Sequence, residues 1–408
     1  MAGRRRQAYT AAFHHGHELM HDFDVTVVGG GLVGASFALA LAGADVSVAL
    51  VEPHPARSIP ADASWDNRVY ALSPGNVQWL EALGIWPGLP PSRLTQVESM
   101  RVFGDEPHAR LEFSAYESGL RELAWIVENR LVHAALARAL ESAGHVQLFC
   151  PAQCEAIEWA RESAMLTLVG GATLRTRLIV GADGADSWVR ERAGISVAVH
   201  DYEQVGVVAN FDTARAHEGT AFQWFRADGV LALLPLPGER ASMVWSTPES
   251  HAGELLQLAP EALAQRVEEA SRGALGALRL IAPAAGFPLK RQHVSRLVEP
   301  RAALIGDAAH SVHPLAGQGV NLGLRDAREL ARVLAGRGPR NDCGDYRLLR
   351  RFERARKEDI AALELATDGL EKLFHNGAVW MAGLRNVGLT LVDAQPALKS
   401  LLARYAAA

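Results

Sequence analysis

The chain has 408 residues, of which 49% are hydrophobic and 21% are charged. This composition is typical of a soluble globular enzyme with two or three domains, and it excludes a disordered chain. The formal net charge of −5 gives no electrostatic basis for binding nucleic acid.

The cysteines and the first residues indicate a cytoplasmic protein. Cys150, Cys154 and Cys343 are odd in number and lack a C-x-x-C spacing, so we expect reduced thiols. Residues 1–21 contain arginines but not the apolar core of a secretory signal, and they are predicted to form a disordered tail, with Met20 as an alternative start. The chain lacks a run of about 18 apolar residues, so a membrane span is not predicted.

The first predicted elements are a strand at residues 24–28, a helix at about 32–42 and a strand at 46–51. The helix is almost wholly apolar, so protein is expected to cover it on all sides. This order of buried elements predicts a βαβ unit.

The rest of the chain alternates between strand and helix patterns. In chain order the prediction is a helix near Gly75, a hairpin at 100–113, a helix at 128–144, three strands within 154–184, mostly antiparallel strands between about 200 and 250, a strand at 301–305, a helix at about 319–334 and a helical remainder. The 319–334 helix is expected to bury one face, formed by Val320, Leu324, Ala327, Ala331 and Leu334. Its charged residues are expected mostly elsewhere, namely Arg325, Asp326, Arg328 and Glu329.

A glycine motif follows the first strand, where Gly29, Gly31 and Gly34 have the G-x-G-x-x-G spacing. Such glycines allow a tight turn, the approach of a pyrophosphate and close helix packing, and the helix N-terminus favours the anion. Glu52 ends the next strand, where a carboxylate can bind ribose hydroxyls and disfavours NADP. The motif predicts a dinucleotide site without separating FAD from NAD, and a tight turn without a ligand is the alternative.

A second strand ends in GADG at residues 181–184, with Ser187 and Arg190 just beyond it. The turn exposes an acid and backbone amides, as a ligand site does. The alternative is an ordinary turn in which Gly184 is left-handed and Asp183 is the cap.

The stretch IGDAAHSVHPLAGQGVNLGL, at residues 305–324, follows a third strand. Asp307 lies at the carboxyl end of this strand, where ligands bind in open α/β sheets. A metal site of Asp307, His310 and His313 is disfavoured, because the spacing lacks a helical i, i+4 histidine pair. His310 and His313 are candidates for acid–base catalysis, although histidines that cap or pack are more common.

The same stretch has the features of a cofactor cradle. Pro314 to Gly319 combine a rigid bend with backbone free of Cβ atoms, directly before a helix. Amides at that helix N-terminus could hold negative charge, such as the charge on the N1–C2=O edge of reduced flavin.

The three motifs, in this order, resemble those of the single-component flavoprotein aromatic hydroxylases. The segments that carry the resemblance are GGGLVG at 29–34, GADGADSWVR at 181–190 and GDAAHSVHPLAGQGVNLGLRDARELA at 306–331. The last of these, together with DNRVYALS at 66–73 and residues 370–404, resembles the ubiquinone-biosynthesis hydroxylase branch. The likeness covers nearly the whole chain from Phe23 on.

The resemblance implies that FAD lies extended across the first domain. Gly29, Gly31 and Gly34 would meet the pyrophosphate and Glu52 the adenosine ribose, and Leu32 and Val33 of the same turn are also expected to be cofactor-binding residues. Arg68 and Arg130 would follow the ribityl–phosphate part, Asp307 would bond the ribityl chain, and Asp183 would lie near the pyrophosphate and the nicotinamide approach. The residues implied at the isoalloxazine are Pro314, Gly317, Gln318, Gly319, Val320 and Asn321.

The implied activity is FAD-dependent monooxygenation of a ubiquinone precursor. NADH or NADPH reduces FAD, O2 gives a flavin C4a-hydroperoxide, and its distal OH passes to an electron-rich aromatic ring. The antiparallel sheet would form the substrate pocket, with Trp224 and Phe225 as lining candidates or, alternatively, as ordinary sheet core. A prenylated substrate would need an apolar tunnel or membrane access, to which residues 379–392 could contribute unless they pack in the core.

The predicted fold class is α/β with an α+β second domain. A Rossmann-like FAD-binding domain (22–95, 120–195 and 286–340) is interleaved with a mostly antiparallel β-sheet substrate domain (96–119 and 196–285), and residues 341–408 are helical.

The expected partners are O2 and a small aromatic substrate, prenylated or not, without nucleic acid or metal. Peripheral association with the inner face of a membrane or with a quinone-synthesis complex is consistent with such a substrate. Two alternatives stay open, namely a hydroxylase of a soluble aromatic or secondary metabolite and a flavin-binding scaffold subunit.

Overall fold

The structure, a computed structural model, describes residues 20–55, 64–104, 110–311, 318–338 and 341–375. The strands of these residues are β1 Met20–Val28, β2 Val48–Val51, β3 Val69–Leu72, β4 Thr95–Val97, β5 Ser99–Phe103, β6 Arg110–Ser114, β7 Ala124–Glu128, β8 Val146–Phe149, β9 Cys154–Trp159, β10 Ala164–Leu168, β11 Thr173–Gly181, β12 Val197–Thr213, β13 Thr220–Arg226, β14 Gly229–Leu236, β15 Arg240–Pro248, β16 Leu278–Leu280, β17 Ala285–Val294, β18 Val298–Glu299, β19 Ala302–Leu304 and β20 His310–Ser311. The helices are α1 Leu32–Ala40, α2 Pro74–Ala82, α3 Asn129–Ser142, α4 Trp188–Arg192, α5 Glu249–Gln257, α6 Pro260–Ala270, α7 Gln318–Ala335 and α8 Tyr346–His375.

The first sheet has a parallel core in the order β19-β11-β1-β2-β8, with β18 antiparallel on β19 and the β9–β10 hairpin antiparallel on β11. The nearly all-apolar α1 packs between α7 and α3, as the predicted βαβ unit requires. In register, Val28 pairs with Gly181, and Gly181 pairs with Leu304. The carboxyl ends of β1, β11 and β19 therefore lie side by side, and each of the three motifs follows one of them.

The structure changes several predicted boundaries. β1 begins at Met20, so Met20 and His21 lie in a strand and not in a tail, because β11 offers pairing partners from Thr173 onward. The helix α1 ends at Ala40, where a 3-10 turn replaces its predicted last residues. The strand β2 begins at Val48 rather than at residue 46.

The second sheet has the order β20-β17-β12-β15-β14-β13-β5-β6, with β16 on β12, and its strand pairs are antiparallel except for β13 with β5. The helices α5 and α6 cover one face through an apolar core that includes Phe211, Met243 and Trp245. The opposite face turns toward the small sheet β3-β7-β4. The predicted fold class, with antiparallel strands between residues 200 and 250, is confirmed.

The strand β17 pairs with β12 over its whole length to Val294, whereas the predicted domain boundary places residues from 286 onward in the first domain. The long strand β12 bulges between Asp201 and Gln204 and still pairs with β17 on both sides of the bulge. The chain returns to the first sheet only with β18.

Helix α7 is buried more fully than its pattern predicts. Leu324, Ala327 and Leu334 are buried as expected, but Arg325 and Asp326 are buried too, contrary to the prediction. For Asp326 the reason is α8, which packs against α7 and covers a side that an amphipathic surface helix would expose.

Candidate cofactor and active site

The glycine turn after β1 packs against the end of β11. A Cβ at Gly29 would lie 2.4 Å from the oxygen of Ala182, and a Cβ at Gly34 would lie 2.0 Å from the oxygen of Gly29. Gly29 also has φ +102°, which favours glycine. At Gly31, in contrast, no described protein atom outside its own turn lies within 4 Å of a Cβ. Gly29 and Gly34 therefore serve close packing, whereas the backbone at Gly31 is open to a ligand.

The N-terminus of α1 is suited to an anion. Its N-cap is Gly31, and its first turn has neither a capping side chain nor an acidic residue, so backbone N–H groups keep their positive polarisation. Leu32 is buried, and Val33 packs against Gly306 and Gly323. The side chains of Leu32 and Val33 thus pack into the protein, and the backbone of the turn is what a ligand can reach.

Glu52 lies at the end of β2 beside the glycine turn. One carboxylate oxygen accepts from the N–H of Gly30 at 2.6 Å, and the other accepts from the N–H of His54 at 2.9 Å. The side chain is partly exposed, so lone pairs remain for ribose hydroxyls. The ribose contact itself stays a prediction.

The carboxylate of Asp183, which follows β11, caps the N-terminus of helix α4. It accepts from the hydroxyl of Ser187 at 2.5 Å and from the N–H of Val189 at 3.0 Å. Gly184 has φ +85°, so the alternative interpretation of this motif, a capped turn with a left-handed glycine, describes its local structure. The Cα of Asp183 lies against Gly29, so Asp183 shapes the glycine turn through its backbone. A cofactor contact of its carboxylate stays a prediction.

Arg190 joins the second motif to the third. This buried guanidinium donates to the oxygen of Ala185 at 2.9 Å and to the oxygen of Ala308 at 3.0 Å. Because Ala308 follows Asp307 directly, Arg190 fixes the Asp307 turn to α4.

Asp307 follows β19, at the carboxyl end of the parallel sheet. Solvent reaches its carboxylate although protein surrounds it on most sides, and the described residues give it no hydrogen-bond partner. Burial by the surrounding protein raises the pKa of Asp307, and the charges of His310 and Arg68 partly oppose this. A carboxylate in this position is able to accept hydrogen bonds from a ligand that binds beside it.

The start of α7 has open backbone. At Gly319 no described atom beyond the helix's own backbone lies within 4 Å of a Cβ, and Gln318, Gly319 and Val320 are partly exposed. The backbone there is accessible to a ligand. The other predicted residues of this segment, His313, Pro314 and Gly317, lie outside the described residues.

Asn321 is fully buried and ties α7 to its neighbours. Its side chain accepts from the N–H of Ser73 at 2.9 Å and donates to the oxygen of Ala71 at 2.8 Å. Asn321 therefore anchors the start of α7 on β3 and α2 through its side chain.

Arg68 stands near Asp307 in the loop before β3. Its guanidinium is exposed and lies 5.7 Å from the centre of the Tyr70 ring, and its charge acts on Asp307 and Tyr70. The loop is fixed to the second sheet, because the side-chain amide of Asn210 donates to the oxygen of Asp66 at 2.9 Å. The structure thus brings two of the predicted cofactor residues, Arg68 and Asp307, into electrostatic reach of each other.

Arg130 is part of a buried ion-pair network. Its guanidinium lies 3.0 Å from Glu128 and donates to the oxygen of Ser64. The fully buried carboxylate of Glu128 also holds Arg93 at 2.7 Å. The partners of Arg130 in the structure are therefore protein groups, and its cofactor contact stays a prediction.

Glu128→Gln is expected to lower the free energy of unfolding by about 3 kcal/mol, because Arg93 and Arg130 then surround a neutral amide at a buried site. Denaturant unfolding at pH 7 measures the change. Glu112→Gln removes a surface partner of Arg101 and is the control, with an expected change below about 0.5 kcal/mol. Equal stability of Glu128→Gln and the wild type would contradict the role of this network.

The sequence analysis did not identify two further titratable residues near Arg68, namely His133 and Tyr70. Burial and the charge of Arg68 lower the pKa of His133, which is also within electrostatic reach of Glu52. Burial raises the pKa of Tyr70, whose hydroxyl donates to Asn129 at 2.8 Å. His133 lies one helical turn after Arg130, so the i, i+3 spacing on α3 was the signal that could have identified it.

Trp224 and Phe225 lie on opposite faces of the second sheet. Trp224 stacks with Phe103 and Phe222 in the core beneath α5 and α6, which is the packing of ordinary sheet core, and a substrate contact of Trp224 stays a prediction. Phe225 lies on the other face, in a cluster with Val102 and Leu111. Only Phe225 is therefore on the face that turns toward β3 and β7.

One part of that face, which we call the uncharged face, is formed by three cross-strand rows of side chains, and the next row holds the ion pair of Asp212 and Arg240. The three rows are Phe287, Gly206, Ser246, Val230 and Phe225; then Ala285, Val208, Val244, Ala232 and Gln223; then Asn210, Ser242 and Leu234. They consist of apolar and uncharged polar residues. The third row meets the loop that carries Arg68, through the bond from Asn210 to Asp66.

Phe287 stands at the edge of the uncharged face and is 42% exposed. A Cβ at Gly206 would lie only 2.8 Å from Cζ of its ring, so the ring rests on the backbone of Gly206.

The residues at the carboxyl ends of β1, β2 and β19 and at the start of α7 fit FAD. Gly31 and Gly319 present open backbone at two helix N-termini, as a pyrophosphate and a flavin edge require. Glu52 and Asp307 supply carboxylates with lone pairs for ribose and ribityl hydroxyls.

A parallel sheet with three glycine-containing turns on one edge, joined to a large antiparallel sheet, defines a dinucleotide-binding flavoprotein. The chain belongs to the family described as the FAD binding domain, whose model matches residues 22–365. FAD is its cofactor, and the flavoprotein assignment made from the three motifs is confirmed.

The chain is similar to several characterised proteins. It is 35% identical over 384 residues to the ubiquinone hydroxylase UbiL of Rhodospirillum rubrum, covering 94% of this chain and 89% of that protein. It is 33% identical to the 3-demethoxyubiquinol 3-hydroxylase of Escherichia coli, covering 94% of this chain and 98% of that protein. The crystal structure of Pseudomonas aeruginosa PqsL with 2-aminobenzoylacetate has the same fold, with a TM-score of 0.77, 24% identity, and coverage of 91% of this chain and 100% of that chain.

Proposed function

We propose that the protein is an FAD-dependent monooxygenase that hydroxylates the aromatic ring of a ubiquinone-biosynthesis precursor, with NADH or NADPH and O2 as co-substrates. Two relatives, whose alignments each cover 94% of this chain, are named as ubiquinone-pathway hydroxylases, and these names support the substrate class. The observation that carries the proposal is that Arg68 acts electrostatically on Asp307 from a loop that Asn210 of the uncharged face holds in place.

The residues of the chain bind and orient the reactants. Bound FAD supplies the redox chemistry with nicotinamide and O2. The amides at Gly31 would hold its pyrophosphate, Asp307 would hold its ribityl chain, and the open N-terminus of α7 would stabilise negative charge on the ring. Val208 and Val244 of the uncharged face would exclude water from the substrate ring.

The uncharged face favours a neutral substrate over an aromatic acid. A carboxylate placed against Val244, Ala232 and Leu234 would lose hydration without gaining a cationic partner from the three rows. A phenol hydroxyl, in contrast, needs only one uncharged polar partner. These features support a decarboxylated phenol with an apolar tail.

The test starts from purified protein, which is expected to be yellow. Oxidation of NADH or NADPH under air should accelerate when a neutral prenylated phenol is added, and mass analysis should find one added oxygen. The matched substrate control is 4-hydroxybenzoate, which should accelerate oxidation less. Colourless protein that cannot be reconstituted with FAD would refute the proposal.

Two other outcomes favour the alternatives. Acceleration by 4-hydroxybenzoate alone would favour a hydroxylase of soluble aromatic acids. Bound FAD without stimulation by any phenol would favour a scaffold subunit. Complementation of hydroxylase-deficient strains, with mass analysis of the quinone intermediates, would identify the ring position.

Peripheral association with a membrane belongs to the same proposal, because a prenylated phenol partitions into lipid. Of the helices in the described residues, none has an apolar stretch of the length that crossing a bilayer requires. Vesicles that contain a prenylated phenol are expected to sediment more protein than vesicles without it. Equal sedimentation would contradict recruitment by the substrate.

A further inference from the structure

A buried cluster of charged residues connects α8 to the Asp307 turn. The carboxylate of Asp326, on α7, is fully buried and accepts three hydrogen bonds. The donors are the N–H of Gly306 at 3.0 Å, Nε2 of His310 at 2.6 Å and Nε of Arg356 at 2.7 Å. The side chains of His310 and Arg356 are 2% and 4% exposed, so water does not compete for these bonds.

The cluster is ionic. Burial would lower the pKa of His310, but the charge and hydrogen bond of Asp326 outweigh it and raise that pKa. Burial would raise the pKa of Asp326, but His310 and Arg356 hold it low. Removal of one partner from such a buried group takes away a hydrogen bond and a charge that hold the others in place, so the three side chains are expected to respond together.

The turn that this cluster holds is also wedged between two helices. Gly306 has φ +64°, and a Cβ there would lie 3.3 Å from Val33 of α1. A Cβ at Gly323 of α7 would lie 2.8 Å from Val33 and 3.1 Å from the Cα of Gly306. The Gly306–Asp307 turn therefore has little freedom, and the position of Asp307 depends on how α7 and α8 are held together.

We propose that Arg356 is a positioning residue for the cofactor: through Asp326 it fixes the Gly306–Asp307 turn in the geometry that binds FAD. The inference rests on the proposed role of Asp307. Arg356 lies in α8, outside all three motifs, so cofactor affinity depends on a helix that the motifs do not include. The proposed role of Arg356 also explains why Asp326 is buried on a helix whose pattern predicts an exposed charge.

The test compares three variants as apo-proteins, each titrated with FAD and followed by quenching of flavin fluorescence. Arg356→Met is expected to raise the Kd for FAD about tenfold or more, the loss typical when a supporting partner of a ligand-holding side chain is removed. Arg356→Lys keeps the positive charge and is expected to recover part of the affinity. Arg332→Met, which removes a surface partner of Glu329 on α7, is the control and should bind as the wild type does.

A folded Arg356→Met protein with the wild-type Kd would overturn the proposal. Equal weakness of Arg356→Lys and Arg356→Met would also overturn it, because lost packing would then explain both. If Arg356→Met does not fold, Arg356→Gln takes its place: a Kd raised about threefold or more, which Arg356→Lys restores in part, supports the proposal, and the wild-type Kd in Arg356→Gln overturns it. A wild-type protein that does not bind FAD would refute the proposed function instead, so the two failures are distinguishable.

Discussion

The Gly31→Val protein is expected to fold normally and to bind FAD at least about a hundredfold more weakly than the wild type, a loss of about 2.7 kcal/mol. The backbone of Gly31 has φ −61°, which valine adopts easily, and no described atom outside its own turn lies within 4 Å of the added Cβ. The new side chain therefore clashes only with a ligand at the N-terminus of α1. Thermal unfolding of the apo-protein and titration with FAD measure the two effects separately.

Gly34→Ala, unlike Gly31→Val, is expected to destabilise the apo-protein. Its Cβ would lie 2.0 Å from the oxygen of Gly29, so the backbone must move, and the apo-protein should lose about 3 kcal/mol of stability. Gly43→Val, at an exposed turn beyond the other end of α1, is the control for adding a side chain in open space. A stable Gly31→Val protein with wild-type FAD affinity would show that the pyrophosphate does not bind at this turn.

Asp307→Asn is expected to weaken FAD binding about 10- to 100-fold, because a hydrogen bond to a charged group is worth about 1.5–3 kcal/mol. The same substitution should stabilise the apo-protein at neutral pH. The surrounding protein raises the pKa of Asp307 in the folded state, so a little stability is lost as pH rises from the unfolded pKa to the folded pKa, and solvent at the exposed carboxylate keeps this loss small. Asparagine removes this loss, and the two proteins should converge in stability at acidic pH.

The measurement is the unfolding midpoint of both apo-proteins between about pH 3 and pH 8, together with the Kd for FAD. Asp201→Asn, which removes a partner of Lys290 at an exposed pair, is the control and should change neither quantity. Unchanged FAD affinity in Asp307→Asn would refute the assignment of Asp307 as a cofactor ligand.

The three turns of the cofactor site could be predicted because their signals are local. At Gly29, Asp183 and Asp307, a run of β-branched or apolar residues ends in a glycine turn before a helix begins. Such a pattern fixes the edge of the sheet at which each residue lies. The pairing of Val28 with Gly181 and of Gly181 with Leu304 then brings the turns together.

Other features depend on partners far away in the sequence. The burial of Asp326 depends on Arg356, thirty residues later, and Asn321 has its partner Ser73 across 248 residues. Helix periodicity predicts one buried face, and it does not reveal that a second helix covers another side. For the same reason Trp224 and Phe225 could not be assigned to a face before the positions of α5 and α6 were known.

The contact between Phe287 and Gly206 has a consequence for how this family changes in evolution. A side chain at position 206 would occupy the space of the Phe287 ring, 2.8 Å away. The two positions are therefore expected to covary: relatives with a side chain at 206 should have a small residue at 287, and relatives with an aromatic residue at 287 should keep glycine at 206. Because the pair lies at the edge of the uncharged face, such an exchange would change the shape of that face at a place separate in sequence from the three glycine turns.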